Sequence, residues 1–280
     1  MGAYMSRRQS PPLLSEVSAV TQQTERVLNW KPDPPTEHDE PELKYDGVGL
    51  RQSHEEVATA VTLRSRMPPV YDQGALGSCT ANALAGAYEY DASLMTGHVF
   101  VPSRLFIYYN ERKREDTVDQ DSGACLRDGV QSLAQQGVCA ESEWPYDTAK
   151  FEDRPPESCY AAAEEHMLVA YRRLPSALDV VNGVRHALIR GYPVVFGVQV
   201  YRGFMDAPGG RVPMPDDDDP TACLGGHAIL AVGYDDGKSE IVFRNSWGVG
   251  WGDVGYGSLT YEYVRKYGSS FWVLTSVDDE

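Results

Sequence analysis

Four side chains, Cys79, His227, Asn245 and Gln73, have the types and the neighbours that covalent acyl chemistry requires. Cys79 follows Gln73-Gly74-Ala75-Leu76-Gly77-Ser78 and opens the run Cys79-Thr80-Ala81-Asn82-Ala83. Pro68, Pro69, Gly74 and Gly77 keep the preceding chain out of a helix, Ser78 is a suitable N-cap, and Gly97 is a natural C′ residue. Between them Ala83, Leu84, Ala87, Tyr88 and Leu94 recur at helical spacing, which predicts a helix buried on one face with Cys79 in its first turn. Helix dipole and unpaired N–H groups at that position lower a thiol pKa from its free value of about 8.5, so Cys79 is expected to be a thiolate nucleophile. A small buried hydrophobe is the alternative for any single cysteine. Gln73, on the approach to the helix, offers a side-chain amide that would bind an oxyanion and favours the nucleophile.

A nucleophile needs a base, and the base needs something to orient it. Gly225-Gly226-His227-Ala228-Ile229-Leu230-Ala231-Val232-Gly233 places His227 at the start of an apolar strand. Phe243-Arg244-Asn245-Ser246-Trp247-Gly248-Val249-Gly250-Trp251-Gly252 places Asn245 at the end of another, with Trp247 two residues on, where an indole would shield an Asn–His hydrogen bond from water.

The elements that must position these groups fall into two halves. Residues 61–175 read as helical, with segments from Pro102 to Arg112 and from Leu126 to Gly137 after the Cys79 helix, and Tyr108 and Tyr109 as core. From 176 the period changes: Leu178 to Arg190 predicts one more helix, and Val194 onward a strand-rich half. A short amphipathic helix is expected over residues 13–28.

Taken together, Gln73, Gly77-Ser78-Cys79, Gly226-His227-Ala228 and Asn245-Ser246-Trp247-Gly248-x-Gly250-Trp251-Gly252 resemble the papain family of cysteine peptidases in order and separation, and Asp-Gln-Gly-x-Leu-Gly-Ser-Cys-Thr-Ala-Asn-Ala resembles its bacterial branch. The resemblance implies an α+β, two-domain papain-like fold, helical left domain and antiparallel β-barrel right domain, with a cleft between them. It implies Cys79 as nucleophile, His227 as general base and acid, Asn245 as the residue orienting the imidazole, and Gln73 with the Cys79 N–H as the oxyanion hole. Substrate-binding positions carry over as Gly123 and Ala124, where the family has a cleft-lining glycine pair, and Gly197, Gly225 and Ala228 around a roomy S2 pocket, with Gly226 and Trp247 beside the His. Ala124 departs from the pattern, as do Thr80 in place of a bulky aromatic and Leu76 in place of a disulfide cysteine. The implied partner is a peptide or protein substrate, with no metal or cofactor. Acyl transfer to an amine by the same triad, and a catalytically silent binding protein, are the competing readings.

The chain has 280 residues and a formal net charge of -16, which disfavours nucleic acid and anionic membranes as partners. No stretch reaches the length of a membrane-spanning helix, and Arg7-Arg8 precedes no apolar signal region, so either a cytoplasmic location or export by a non-classical route is expected. Cys125, Cys139, Cys159 and Cys223 allow three pairings; reduced thiols are the default, as a monomer is for assembly. Residues 1–60 differ in kind. Trp30-Lys31-Pro32-Asp33-Pro34-Pro35 and the acidic stretch after it are too proline-rich for a helix. They read either as a solvated tail or as a prosegment laid through the cleft with Val27-Leu28-Asn29-Trp30 as its apolar anchors, and the family resemblance adds that such segments run opposite to substrate. Asp216 to Asp219 form a charge run, either a solvated loop or a field favouring basic residues in a substrate.

Overall fold

The computed structural model describes residues 26–35, 58–168, 170–174, 180–216 and 222–275. The expected helix over 13–28 lies largely outside them, and Arg26–Leu28 are not helical. Asp217 to Asp219 of the acidic run also lie outside.

Helix α1 spans Cys79–Thr96 and ends at Gly97, whose φ of 69° is the left-handed cap that glycine adopts without strain. Ser78 occupies the N-cap position, but its hydroxyl makes no cap bond. Burial exceeds the one-face expectation: every residue from Cys79 to Tyr90 is buried. The cause is a double contact, since α1 packs on helices α2 (Arg104–Arg114) and α3 (Leu126–Gln136) and also on the central strand of the sheet. Ser103 caps α2, accepting the Phe106 N–H at 3.1 Å. The short helix α4 (Glu157–Ala163) completes the helical half.

The sheet is antiparallel throughout. Its described strands are β1 (Ala60–Thr62), β2 (Ala170–Arg173), β3 (Val194–Val200), β4 (Gly225–Asp235), β5 (Glu240–Arg244), β6 (Tyr256–Thr260) and β7 (Gly268–Thr275), in the order β2-β7-β3-β4-β5-β6. The eleven-residue β4 is long enough to pair β3 at one end and β1 at the other. Among the described residues β2 and β6 do not pair, so the sheet is open where a closed barrel was expected. Two of its strands, β1 and β2, come from before residue 176. Helix α5 (Val180–Ile189) lies against β4 and β3, the one-turn helix α6 is Arg202–Met205, and α7 (Tyr261–Tyr267) links β6 to β7. No described helix is long and apolar enough to cross a membrane.

Candidate active site

The site forms where the N-terminus of α1 meets the start of β4. Cys79, the first residue of α1, is fully buried, with the Ala228 backbone amide of β4 close enough to favour its charged form. β3 and β4 register Val198 opposite His227 and Gly197 opposite Ala228. His227 Nε2 lies 2.8 Å from Asn245 Oδ1, which also accepts the Ser246 N–H at 2.8 Å. That leaves Nδ1, without a partner, as the ring nitrogen available to a thiol. The Trp247 indole stacks on the imidazole with centroids 4.7 Å apart, and Phe204 meets the same imidazole edge-on at 5.9 Å. Both rings keep water from the Asn–His bond.

Backbone pairing ties the cysteine side to the histidine side. Gln73 N–H donates to Ser246 O at 2.8 Å and Gly248 N–H to Tyr71 O at 2.9 Å, so the chain entering α1 runs along the chain leaving β5. The buried Gln73 amide is held at both ends: Oε1 accepts from Ser246 Oγ at 2.6 Å, and Nε2 donates to Leu76 O at 3.0 Å. A primary amide has two N–H donors, so one remains.

Beneath this loop lies a buried cationic and aromatic cluster that sequence reasoning did not find. Tyr71 sits between the guanidiniums of Arg104 and Arg244, at 4.4 and 4.5 Å, and its hydroxyl donates to Glu89. Arg104 also stacks on Tyr146 at 3.9 Å and forks onto Glu141 at 2.8 and 2.6 Å. Tyr146 OH donates to Gln73 O at 3.1 Å and pairs with Ser78 Oγ at 2.5 Å, which explains why Ser78 caps nothing. Thr80, which stands where the family has a bulky aromatic, is buried and donates to Glu111 Oε2 at 2.7 Å. Only the spacing of these residues on α1 and α2 signalled them, and it reads as ordinary core.

Residues 26–35 pair with the start of β4 and with the stretch that enters α3. Trp30 N–H donates to Gly226 O at 3.1 Å, Gly226 N–H to Leu28 O at 3.3 Å, and Lys31 N–H to Ala124 O at 3.1 Å. Both resulting bridges, Asn29 with Gly226 and Lys31 with Cys125, are parallel. Asn29 Nδ2 donates to Asp121 O at 2.7 Å, and a Cβ at Gly123, whose φ is 65°, would sit 2.0 Å from Asn29 O. The Trp30 indole, 5% exposed, fills the space over Gly197, where a Cβ would be 1.9 Å from its Cε2 and Cζ2. Leu28 O covers Gly225 in the same way. Arg26 binds Asp72 at 2.7 Å, Gly74 O at 3.1 Å and Trp247 O at 3.1 Å. At the other end Asp33 accepts the Arg127 N–H of α3 at 3.0 Å and the Trp272 indole N–H at 2.8 Å.

Burial reverses the expected electrostatics. Burial pushes the Cys79 thiol up to about 12, the Glu111 carboxylate adding to it and the Ala228 amide opposing, where the helix terminus alone predicted a lowered value. Burial pulls His227 down to about 4 against the Asn245 hydrogen bond, and the Arg26 cation lowers it further. In this arrangement both groups are neutral at pH 7.

The five cysteines are free thiols. Ligand atoms of Glu115, Cys125 and Asp128 lie within 4.8 Å of one another, the constellation nearest to a metal site among the described residues. Lys31 already pairs Glu115 and Arg114 pairs Asp128, so the charges are met within the chain.

Residues 57–270 match the model of the papain family cysteine protease. An uncharacterized peptidase C1-like protein of Acanthamoeba polyphaga mimivirus is 40% identical over 230 residues, 78% of this chain and 73% of its own. Papain of Carica papaya is 26% identical over 82% of this chain, which spans 64% of that protein. Among solved structures, xylellain, a cysteine protease from Xylella fastidiosa, is 35% identical with a TM-score of 0.78, covering 93% of this chain and all of its own. A Carica candamarcensis cysteine protease solved in complex with E-64 shares the fold, at 23% identity and a TM-score of 0.60 over 78% of this chain and 99% of its own. The chain belongs to the papain family of cysteine proteases.

Proposed function

We propose that the chain is a cysteine endopeptidase acting through Cys79, His227 and Asn245, and that its residues 26–35 hold the cleft closed. The observation that carries the reading is the placement of Cys79 at the first turn of α1 beside Ala228, with the neighbouring His227 bound to Asn245 at 2.8 Å. Once the segment leaves and water enters, the thiol falls toward its ordinary pKa and the imidazole rises, so a proton passes from Cys79 to His227 Nδ1. The Cys79 thiolate attacks the scissile carbonyl carbon. The oxyanion takes hydrogen bonds from the Cys79 N–H and the remaining Gln73 amide N–H. His227 returns its proton to the leaving amine as the C–N bond breaks. It then deprotonates a water, which hydrolyses the thioester and regenerates the thiol.

Asn245 holds the imidazole by Nε2, so that Nδ1 faces the reaction, and Trp247 keeps that bond dry. The Gly197 floor makes room for a large apolar side chain, a reading supported by the Trp30 indole that fills the space over it.

The test is covalent labelling with an epoxide cysteine-protease inhibitor, together with hydrolysis of a fluorogenic peptide, on the full chain and on its Trp30→Ala variant. Labelling at Cys79 and turnover, both faster in Trp30→Ala and absent in Cys79→Ala, are the expected results. No labelling of a folded Trp30→Ala chain overturns the peptidase. Equal rates in the two chains overturn the closing role of the segment.

A further inference from the structure

We infer that Glu115 makes this cleft selective for a basic side chain one residue outward, away from Cys79, from the side chain seated over Gly197. The inference rests on the peptidase reading above and adds a substrate class to it: extended peptides that carry Lys or Arg beside a large apolar residue, preceding it because a substrate runs opposite to residues 26–35, as the family resemblance implies.

The segment in the cleft supplies the observation. Trp30 fills the apolar pocket, and the next residue, Lys31, places its ammonium 2.6 Å from Glu115 Oε2. Glu115 is fixed before any ligand arrives, because its other oxygen accepts the Cys125 N–H at 2.7 Å. Cys125 and Ala124 belong to the stretch that pairs with the segment backbone, so the carboxylate is built into the wall that grips an extended chain. A peptide held by the same backbone groups presents its side chain to the same carboxylate.

The nearby charges single out Glu115. Asp128, the adjacent carboxylate, is already bound by Arg114 at 3.0 Å and accepts a hydrogen bond from the Cys125 thiol at 2.9 Å. Among the described residues Lys31 is the cation that pairs Glu115, so when Lys31 leaves, the carboxylate has an unmet charge at 15% side-chain exposure. Asp72, which holds Arg26 at the far end of the cleft, is 55% exposed and already accepts the Gly74 N–H. Solvent screening at that exposure leaves it little selective power. The half-sheltered Glu115 with a charge-assisted bond is worth more, and exchanging a cation for an anion in the ligand turns attraction into repulsion.

The experiment uses full-length Trp30→Ala and three peptides, X-Phe-Gly-coumarin amide with X as Lys, Ala or Glu. Expected is a kcat/KM about tenfold higher for Lys than for Glu. Glu115→Gln keeps an acceptor for the Cys125 N–H and should bring the Lys/Glu ratio to within about threefold of one, and Glu115→Lys should invert it. A structural defect would slow all three peptides alike and leave the ratio standing. Binding of the same peptides to Cys79→Ala/Trp30→Ala, read by fluorescence anisotropy, separates the two readings. Lys-selective binding that Glu115→Gln abolishes, without any cleavage by the Cys79 chain, sustains this inference and removes the peptidase. A ratio unchanged by Glu115→Gln, or no binding of any peptide, overturns it.

Discussion

Cys79 shows how a single residue's chemistry is set by what covers it. Its place at a helix N-terminus favours a thiolate, yet complete burial outweighs the dipole and pushes the thiol up to about 12. The covered cysteine should therefore react slowly with iodoacetamide at pH 7, where the thiolate fraction is about 10⁻⁵, and its rate should climb about tenfold per pH unit toward pH 10. The Trp30→Ala variant, whose site is open to water, should reach its plateau at a lower pH. Superimposable profiles would show that the segment does not set the thiol's state. Thr80 illustrates the opposite case, a residue whose type looked like a loss at the site and whose contact is structural. Its hydroxyl serves Glu111, a fully buried carboxyl held well above the usual carboxylate range by that burial. Thr80→Val strands this acceptor and should cost about 1–3 kcal/mol in urea unfolding, a loss that Glu111→Leu in the same chain should partly recover.

At the scale of elements, the site is a junction of a helix start with a strand start, and the packing between them is close. Gly197 on β3 registers with Ala228 on β4, so whatever stands on Gly197 decides what lies beside the thiol. Because a Cβ there would overlap the Trp30 indole, Gly197→Ala in the full chain should expel the side chain. Losing the burial of a Trp side chain costs roughly 2–4 kcal/mol, which converts to about a hundredfold faster labelling of Cys79. Labelling at the parent rate would mean that Trp30 contributes little to closure. The loop from Tyr71 to Ser78 is positioned from below by Arg104, Arg244 and Tyr146, and from the side by Ser246. Gln73 is thus placed by tertiary contacts from Tyr146 and Ser246, both distant from it in sequence.

Across the whole molecule, a chain of net charge -16 holds a segment that brings cations to both ends of the cleft. Arg26 meets Asp72 and Lys31 meets Glu115, both partly open to solvent. Salt screens such pairs, so raising ionic strength from about 0.05 to about 1 M should speed Cys79 labelling of the full chain by about two- to fivefold. In Trp30→Ala the same change should have less effect, because the segment is already loosened. A full chain insensitive to salt would place its closure in apolar and backbone contacts alone.

The sequence by itself determined the local elements and the chemical inventory. The helix opened by Cys79 and closed by Gly97, the strands carrying His227 and preceding Asn245, and the family they indicate all follow from patterns within a few residues of each position, because caps, glycines and apolar periods act locally. The antiparallel sheet was legible as a strand-rich half. Its open edge was not, since closure depends on which distant strands meet, and β1 and β2 join it from the helical part of the chain. Residues 26–35 were legible as extended through their prolines, with a tail and a cleft cover left open. Only the tertiary structure put Trp30 over Gly197 and Lys31 on Glu115. The protonation of Cys79 and His227 was likewise decided there, because desolvation sums over every neighbour in space and no short stretch of sequence contains them.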